Sequence, residues 1–209
     1  MTDFFYTSVI LSCCLLITAF IYGITNRQIR NNELSKRHII YLGFILGIEF
    51  ISKFSIYILE SDTTQFLYPF YVTGEFFLLI SLFLKELRTS KKVAVIKWLM
   101  TSYIFIETTI LWFMKIDATT GYAKIISHLT IICLLAMLLI KNLKELEKSK
   151  PLSIIYTTLF LYYGVSLFLF LLMSQLTAIN INIWIINNIL SSILYGSSIY
   201  TFYKLRKWS

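Results

Sequence analysis

Residues 152–173, LSIIYTTLFLYYGVSLFLFLLM, run for 22 positions without a charged side chain. As an α-helix that length extends about 33 Å, and the hydrocarbon core of a bilayer is about 30 Å thick. Backbone inside hydrocarbon finds no water, so it must be helical to satisfy its own N–H and C=O groups. Six more stretches read the same way: Phe4–Gly23, Ile39–Leu59, Phe66–Leu84, Val93–Met114, Tyr122–Ile140 and Ile181–Tyr203. They use up nearly all of the 209 residues and leave nothing of soluble-domain size. The expected architecture is all-α and integral to the membrane, a seven-transmembrane-helix bundle forming one domain over residues 1–209.

The gaps between these stretches set the orientation. Arg27, Arg30, Lys36 and Arg37 follow the first stretch, and Lys85, Arg88, Lys91 and Lys92 follow the third. Lys141, Lys144, Lys148 and Lys150 follow the fifth, and Lys204, Arg206 and Lys207 form the tail, while the opposite face holds Lys115 and Lys124. Short loops rich in Lys and Arg stay on the cytoplasmic side. Fifteen basic residues against two therefore put the N-terminus outside and the C-terminus in the cytoplasm. Ile24–His38 reads as the longest polar gap, and Lys141–Pro151 as a continuation of the fifth helix with Pro151 opening the sixth.

Composition narrows the function classes. The chain is 57% hydrophobic and 14% charged, whereas a soluble domain carries about 25% charged residues. A net charge of +8 raises nucleic acid as a partner, but the charges sit where the positive-inside bias already puts them. Contact with anionic lipid headgroups accounts for them better, and no direct sequence-specific nucleic-acid binding is expected. The first stretch lacks a basic n-region and a small-residue cleavage site, so it reads as a retained helix rather than a signal peptide. Cys13, Cys14 and Cys133 fall at membrane depth, too few for a disulfide framework or a zinc site.

The informative residues are those out of place in a membrane. Glu49 and Lys53 lie in the second stretch, Glu75 in the third, Glu107 in the fourth, His128 in the fifth, and Asn187 and Asn188 in the seventh. A charge at the bilayer centre costs roughly 2.5–3.5 kcal/mol on insertion scales, so such groups face the bundle interior and one another. Their similar depths point to a single polar cluster opening toward the outside. Glu49 and Lys53 are spaced i,i+4 with the acid first, the favourable helical order. Tyr71 precedes Glu75, and Tyr103 precedes Glu107, by the same interval. Two readings of the cluster stand: an interhelical hydrogen-bond network that holds the bundle, and a proton- or cation-binding pocket. Gly43-Phe-Ile-Leu-Gly47 is a small-xxx-small ridge that lets helices approach closely and would set the second helix at the centre of the bundle. Ser192 and Gly196 make a similar ridge, and a homo-oligomer is the second use of either.

No catalytic signature stands out. There is no HExxH, no Gly-x-Ser-x-Gly elbow and no Gly-rich phosphate loop, and no serine or cysteine at a telling spacing from His128. The seventh stretch contains no lysine before Lys204, which removes the Schiff-base residue that a retinal protein needs. Neither an enzyme, a metal site nor a cofactor is expected. The segment Pro69-Phe-Tyr-Val-Thr-Gly-Glu75-Phe-Phe, followed by Leu-Leu-Ile-Ser, resembles the third-helix signature of small seven-helix proteins of Bacteroidota. Trp184-Ile-Ile-Asn-Asn-Ile-Leu resembles their seventh helix, and the bias toward Ile, Lys, Asn, Tyr and Phe fits a low-GC genome of that group.

In size, hydropathy and composition the chain is also similar to the membrane accessory proteins of type VI-B CRISPR systems. That resemblance implies a multi-pass protein of the bacterial inner membrane that modulates, by repression, an RNA-guided RNA nuclease in antiviral defence. A cytoplasmic effector nuclease or ribonucleoprotein would then meet the basic loops. A proton- or cation-coupled channel or carrier, and a membrane sensor of a small apolar ligand, are the alternatives. The topology predicts that alkaline phosphatase fused after Thr63 is active, and that fusions after Arg88 or Ser209 are inactive. The reverse activities at Thr63 and Arg88 would overturn the orientation.

Overall fold

The computed structural model describes residues 2–61, 63–116, 121–144, 151–173 and 181–208. The described residues are 91% helix and contain no strand. Its helices are α1 (Thr2–Thr25), α2 (Arg27–Asn31), α3 (Glu33–Tyr57), α4 (Tyr68–Leu87), α5 (Lys91–Phe113), α6 (Ala123–Lys144), α7 (Leu152–Met173) and α8 (Ile181–Trp208), with a single 3-10 turn, Gln65–Leu67, ahead of α4. Among the described residues, α1, α3, α4, α5, α6 and α7 are long and apolar enough to cross a membrane. With 28 residues α8 has the length as well. Asn187, Asn188, Ser191, Ser192, Ser197 and Ser198 lower its mean hydropathy. Much of that polarity faces inward: Ser191, Ser192, Ser198 and Thr201 are buried, while Trp184, Ile186, Ile189, Ile193 and Tyr200 are exposed.

Helix ends depart from the sequence boundaries for local reasons. Asn32 accepts hydrogen bonds from the N–H groups of Leu34 (3.0 Å) and Ser35 (3.2 Å), a side-chain cap that starts α3 at Glu33. The polar gap expected through His38 is therefore mostly helix, α2 plus the first turns of α3. At the opposite ends of three helices, Glu60 (φ 49°), Arg88 (φ 52°) and Lys115 (φ 54°) adopt the left-handed conformation that commonly closes a helix and normally calls for glycine. The expected gap Gln175–Asn180 lies outside the described residues.

Neighbouring helices form a closed ring: α1 packs on α3, α3 on α4, α4 on α5, α5 on α6, α6 on α7, α7 on α8, and α8 back along α1. Across the ring, α4 packs on α6 as well as on its two neighbours, and His38 of α3 reaches Ser198 of α8. Helix α4 is the most enclosed, with Val72, Glu75, Phe76, Leu79, Ile80, Leu82 and Phe83 all buried. The central place expected for the second stretch thus belongs to the third. The glycines show why. A Cβ on Gly74 of α4 would run into the ring of Phe44 on α3, and one on Gly43 of α3 would come 2.7 Å from the Phe20 ring of α1. Gly47 has nothing within 4 Å of that position, and neither does Gly196. Helix α3 is therefore seated between α1 and α4 by two separate aromatic-on-glycine contacts, not by one continuous ridge.

Two ends of the bundle differ in charge. Starts of α1, α4, α6 and α8 share one end with the ends of α3, α5 and α7, and this end is poor in basic residues. The other, basic end gathers α2 with Arg27 and Arg30, then Lys36, Arg37, Lys85, Arg88, Lys91, Lys92, Lys141, Lys144, Lys204, Arg206 and Lys207. Lys148 and Lys150 lie outside the described residues.

The glycine geometry predicts opposite signs at two positions. Gly74→Ala overfills the α3–α4 contact and should lower stability by about 1–3 kcal/mol. Gly47→Ala meets open space and should leave stability unchanged or raise it by up to about 1 kcal/mol through helix propensity. Denaturant titration of both variants in detergent measures the difference, and equal effects would contradict this packing.

Candidate functional site

Near the middle of α4, Glu75 is only 2% exposed. Tyr71, one turn earlier, donates its Oη–H to Glu75 Oε1 at 3.3 Å. Tyr41 of α3, Tyr162 and Tyr163 of α7 and Tyr195 of α8 are buried within electrostatic reach of the same carboxyl. Lys124, at the start of α6, turns inward toward it, its Nζ 4.7 Å from the centroid of the Phe170 ring. One turn further along α6, His128 places Nε2 3.4 Å from Ser166 Oγ and sets its ring edge-on to Tyr163 at 5.0 Å. Tyr163 Oη is buried beside the Glu75 carboxyl and Tyr41, and His128 is buried beside the backbone of Lys124.

The chemistry of this centre follows from its residue types. Tyrosine has a large apolar body with one hydroxyl at its tip, so several tyrosines can line a carboxyl without importing charge. In a low-dielectric interior each such hydrogen bond is stronger than in water, and each unmet group is costly. The site brings one carboxyl, one ammonium and one imidazole into a shared interior, with hydroxyls to spare. Such a set can hold or pass a proton, or respond sharply when one donor is moved.

A cavity of about 350 Å³ reaches this centre from the end poor in basic residues. Leu67, Leu111, Trp112 and Trp184 give it apolar and aromatic walls, Ser52 and Gln65 add polar groups, and Tyr71 lines it as well. One residue, Tyr71, thus touches both the cavity and Glu75.

Other residues singled out from the sequence lie elsewhere. The single cluster expected from their depths is four separate places, because depth along a helix does not determine which way a side chain turns. Glu49 and Lys53 face each other at 3.8 Å but are half-exposed, 49% and 41%, and Lys53 Nζ also donates to Cys13 Sγ on α1. Glu107 Oε1 accepts from the N–H of Tyr122 (2.6 Å) and of Ala123 (3.2 Å), which caps the start of α6 from α5, with the exposed Tyr103 beside it. Asn188 Nδ2 donates to Ser8 Oγ at 3.2 Å and ties α8 to α1, with the half-buried Asn187 next to it. Only Tyr71, Glu75 and His128 of the nine meet in one place.

Several polar residues were not singled out from sequence. His38 is fully buried, its Nε2 2.9 Å from Ser198 Oγ, and since that hydroxyl donates to Leu194 O, the imidazole is the donor. Lys97 lies within α5 and bonds Ser81 Oγ at 3.1 Å, its ammonium 4.2 Å from the Phe77 ring centroid. Lys124, inside the expected stretch Tyr122–Ile140, enters the sequence reading only as a charge at the outer face. The pair Tyr162-Tyr163 in an otherwise aliphatic helix was the one visible signal for the tyrosine lining.

No protein-family model matches this chain, and comparisons with curated proteins and with solved structures find no match.

The geometry predicts that Glu75→Gln keeps an acceptor for Tyr71 and folds at the wild-type level. Glu75→Leu leaves the tyrosine hydroxyls unmet and should cost roughly 1–3 kcal/mol. Folded yield and unfolding midpoint in detergent check both, and a Leu variant as stable as the Gln variant would contradict this account of the centre.

Proposed function

We propose that this chain is a non-enzymatic regulatory protein of the bacterial inner membrane that senses a small apolar ligand. Seven crossings, with the N-terminus outside, put the aromatic cavity at the outer face and the basic end in the cytoplasm. The observation that carries this reading is the place of Tyr71, in the cavity wall and hydrogen-bonded to Glu75. A cavity of this size, mostly apolar with a few polar groups, suits a compact apolar or aromatic molecule.

The proposed coupling runs along α4. A ligand that displaces the Tyr71 hydroxyl withdraws a donor from the buried carboxyl. The interior then favours whichever position of α4 restores that bond. Ligand binding shifts the population between the two positions only by its differential affinity for them. Because α4 packs on α3, α5 and α6 and ends in Lys85 and Arg88, its movement would be felt at the basic end. A soluble partner would meet the chain there through attraction screened beyond about 8 Å at physiological salt. The resemblance to the accessory proteins of type VI-B CRISPR systems makes an RNA-guided RNA nuclease the partner to test first, with repression the expected sense.

A second reading, a proton- or cation-coupled carrier, draws on the buried set of Glu75, Lys124 and His128. Two measurements decide between them. Under the sensor reading, 4-bromophenol should quench tryptophan fluorescence saturably in the wild type, and Ser52→Phe, which fills the cavity, should abolish the saturable part. Proton flux into proteoliposomes should match empty vesicles. Quenching that rises linearly in both proteins, together with flux lost in Glu75→Gln, would replace the sensor with the carrier.

A further inference from the structure

At the basic end, the ends of five long helices enclose a second cavity, of about 520 Å³. Lys85 and Arg88 enter from the end of α4 and Lys141 from the last turn of α6, with Glu86 the one acidic residue among the described residues of the wall. The remaining wall includes Asn32, ahead of α3, and the apolar Leu34, Pro151, Leu152 and Leu205. None of this is used by the outer cavity or by the Glu75 centre.

Three features give the cavity a positive field. Among the described residues, cationic side chains outnumber acidic ones on its wall by three to one. Helix α7, 22 residues long, begins at the wall with Leu152 and turns the positive end of its dipole toward it. Three carbonyls near the end of α4, which would oppose that field, already accept hydrogen bonds: those of Leu84, Lys85 and Glu86. Leu84 O accepts from the N–H groups of Arg88 and Thr89, and Glu86 O accepts from Lys141 Nζ at 3.3 Å.

Arg88 adds an independent indication. It occupies the left-handed position that closes α4, with φ 52°, where glycine is free of strain and any residue with a Cβ is not. Glu60 and Lys115 take the same conformation at other helix ends, so it is the guanidinium at the cavity wall that marks Arg88. A planar guanidinium matches the oxygens of a phosphate in a fork, and the two lysines add point charge.

We infer that this cavity binds a phosphate group, and that the apolar wall beside the cations makes the headgroup of an anionic phospholipid its source. The glycerol backbone and first methylenes of the lipid would lie against Leu34, Leu152 and Leu205. The inference needs the bundle to lie in a membrane but does not need the outer cavity to bind anything. Quenching at the outer end and lipid binding at the basic end therefore succeed or fail separately.

The test uses the full chain purified in an uncharged detergent. Native mass spectrometry and thermal unfolding would be followed with short-chain phosphatidylglycerol, with phosphatidylcholine of the same chain length, and with inorganic phosphate. One phosphatidylglycerol should bind per chain, at least about tenfold more tightly than phosphatidylcholine, and raise the unfolding temperature. Arg88→Gly should lower that affinity by about tenfold or more while making the lipid-free chain no less stable, because glycine relieves the strained turn. A combined Lys85→Gln and Lys141→Gln variant should lose affinity likewise. A variant with Lys204, Arg206 and Lys207 changed to Gln should keep it. Binding of inorganic phosphate as tight as that of the lipid would support a phosphate site while overturning the lipid as its source. Equal losses in the tail and cavity variants, or no preference for the anionic lipid, would overturn the site itself.

Discussion

Several polar side chains in the middle of this bundle find partners on other helices, and those pairs fix which faces meet. The pairs are specific. His38 of α3 meets Ser198 of α8, Asn188 of α8 meets Ser8 of α1, Thr158 of α7 meets Ser197 of α8 at 2.8 Å, and Lys97 of α5 meets Ser81 of α4. Each bond is worth only about 0.6–2 kcal/mol, yet a rotated helix would lose its bonds to several neighbours together. Aromatic rings on glycine set how near the helices come, and polar pairs set how they are turned. Helix α8 shows the result most plainly, with Ser191, Ser192, Ser198 and Thr201 inward beside Tyr195 and Phe202, and Ile186, Ile189, Ile193 and Tyr200 outward.

The same rule explains why α4 holds the candidate site. Packed on α3, α5 and α6, it is the most enclosed of the described helices, so a carboxyl near its middle is buried. Glu75 takes hydroxyl groups as its surroundings, and the ring of tyrosines follows. Glu49 and Glu107, on helices with an open side, reach a half-exposed lysine and a helix start instead. Three glutamates of similar depth therefore have three different roles. Tyr71 then gives the central one a link to the outer cavity, and the end of α4 gives it a link to the basic end.

What could be read from sequence was whatever is local along the chain. Long uncharged stretches mark the helices, and the boundaries of α7 coincide with the stretch 152–173. The i,i+4 interval put Tyr71 beside Glu75 and Glu49 beside Lys53, because helix geometry alone determines those neighbours. The inward direction could not be read, since apolar residues line all sides of most of these helices and leave no stripe to orient them. The second-stretch glycines therefore looked like one ridge, although only Gly43 meets a neighbour. Asn32 moved the start of α3 back to Glu33 and drew His38 into the interior. Lys124 looked like a charge at the outer face because it stands at a helix start, and only the position of α4 across from it reveals an inward path.

The central claim is that α8 belongs to the membrane-embedded ring with its polar side turned inward. Nitroxide labels scanned along α8 in lipid nanodiscs test this most directly, through collision rates with dioxygen and with a water-soluble nickel chelate. The account predicts dioxygen access that peaks at Ile186, Ile189, Ile193 and Tyr200 and falls at Leu190, Ser191, Leu194 and Ser198, with the chelate excluded from the middle of the helix. Chelate access along the whole of α8, or dioxygen access highest at the serines, would contradict it.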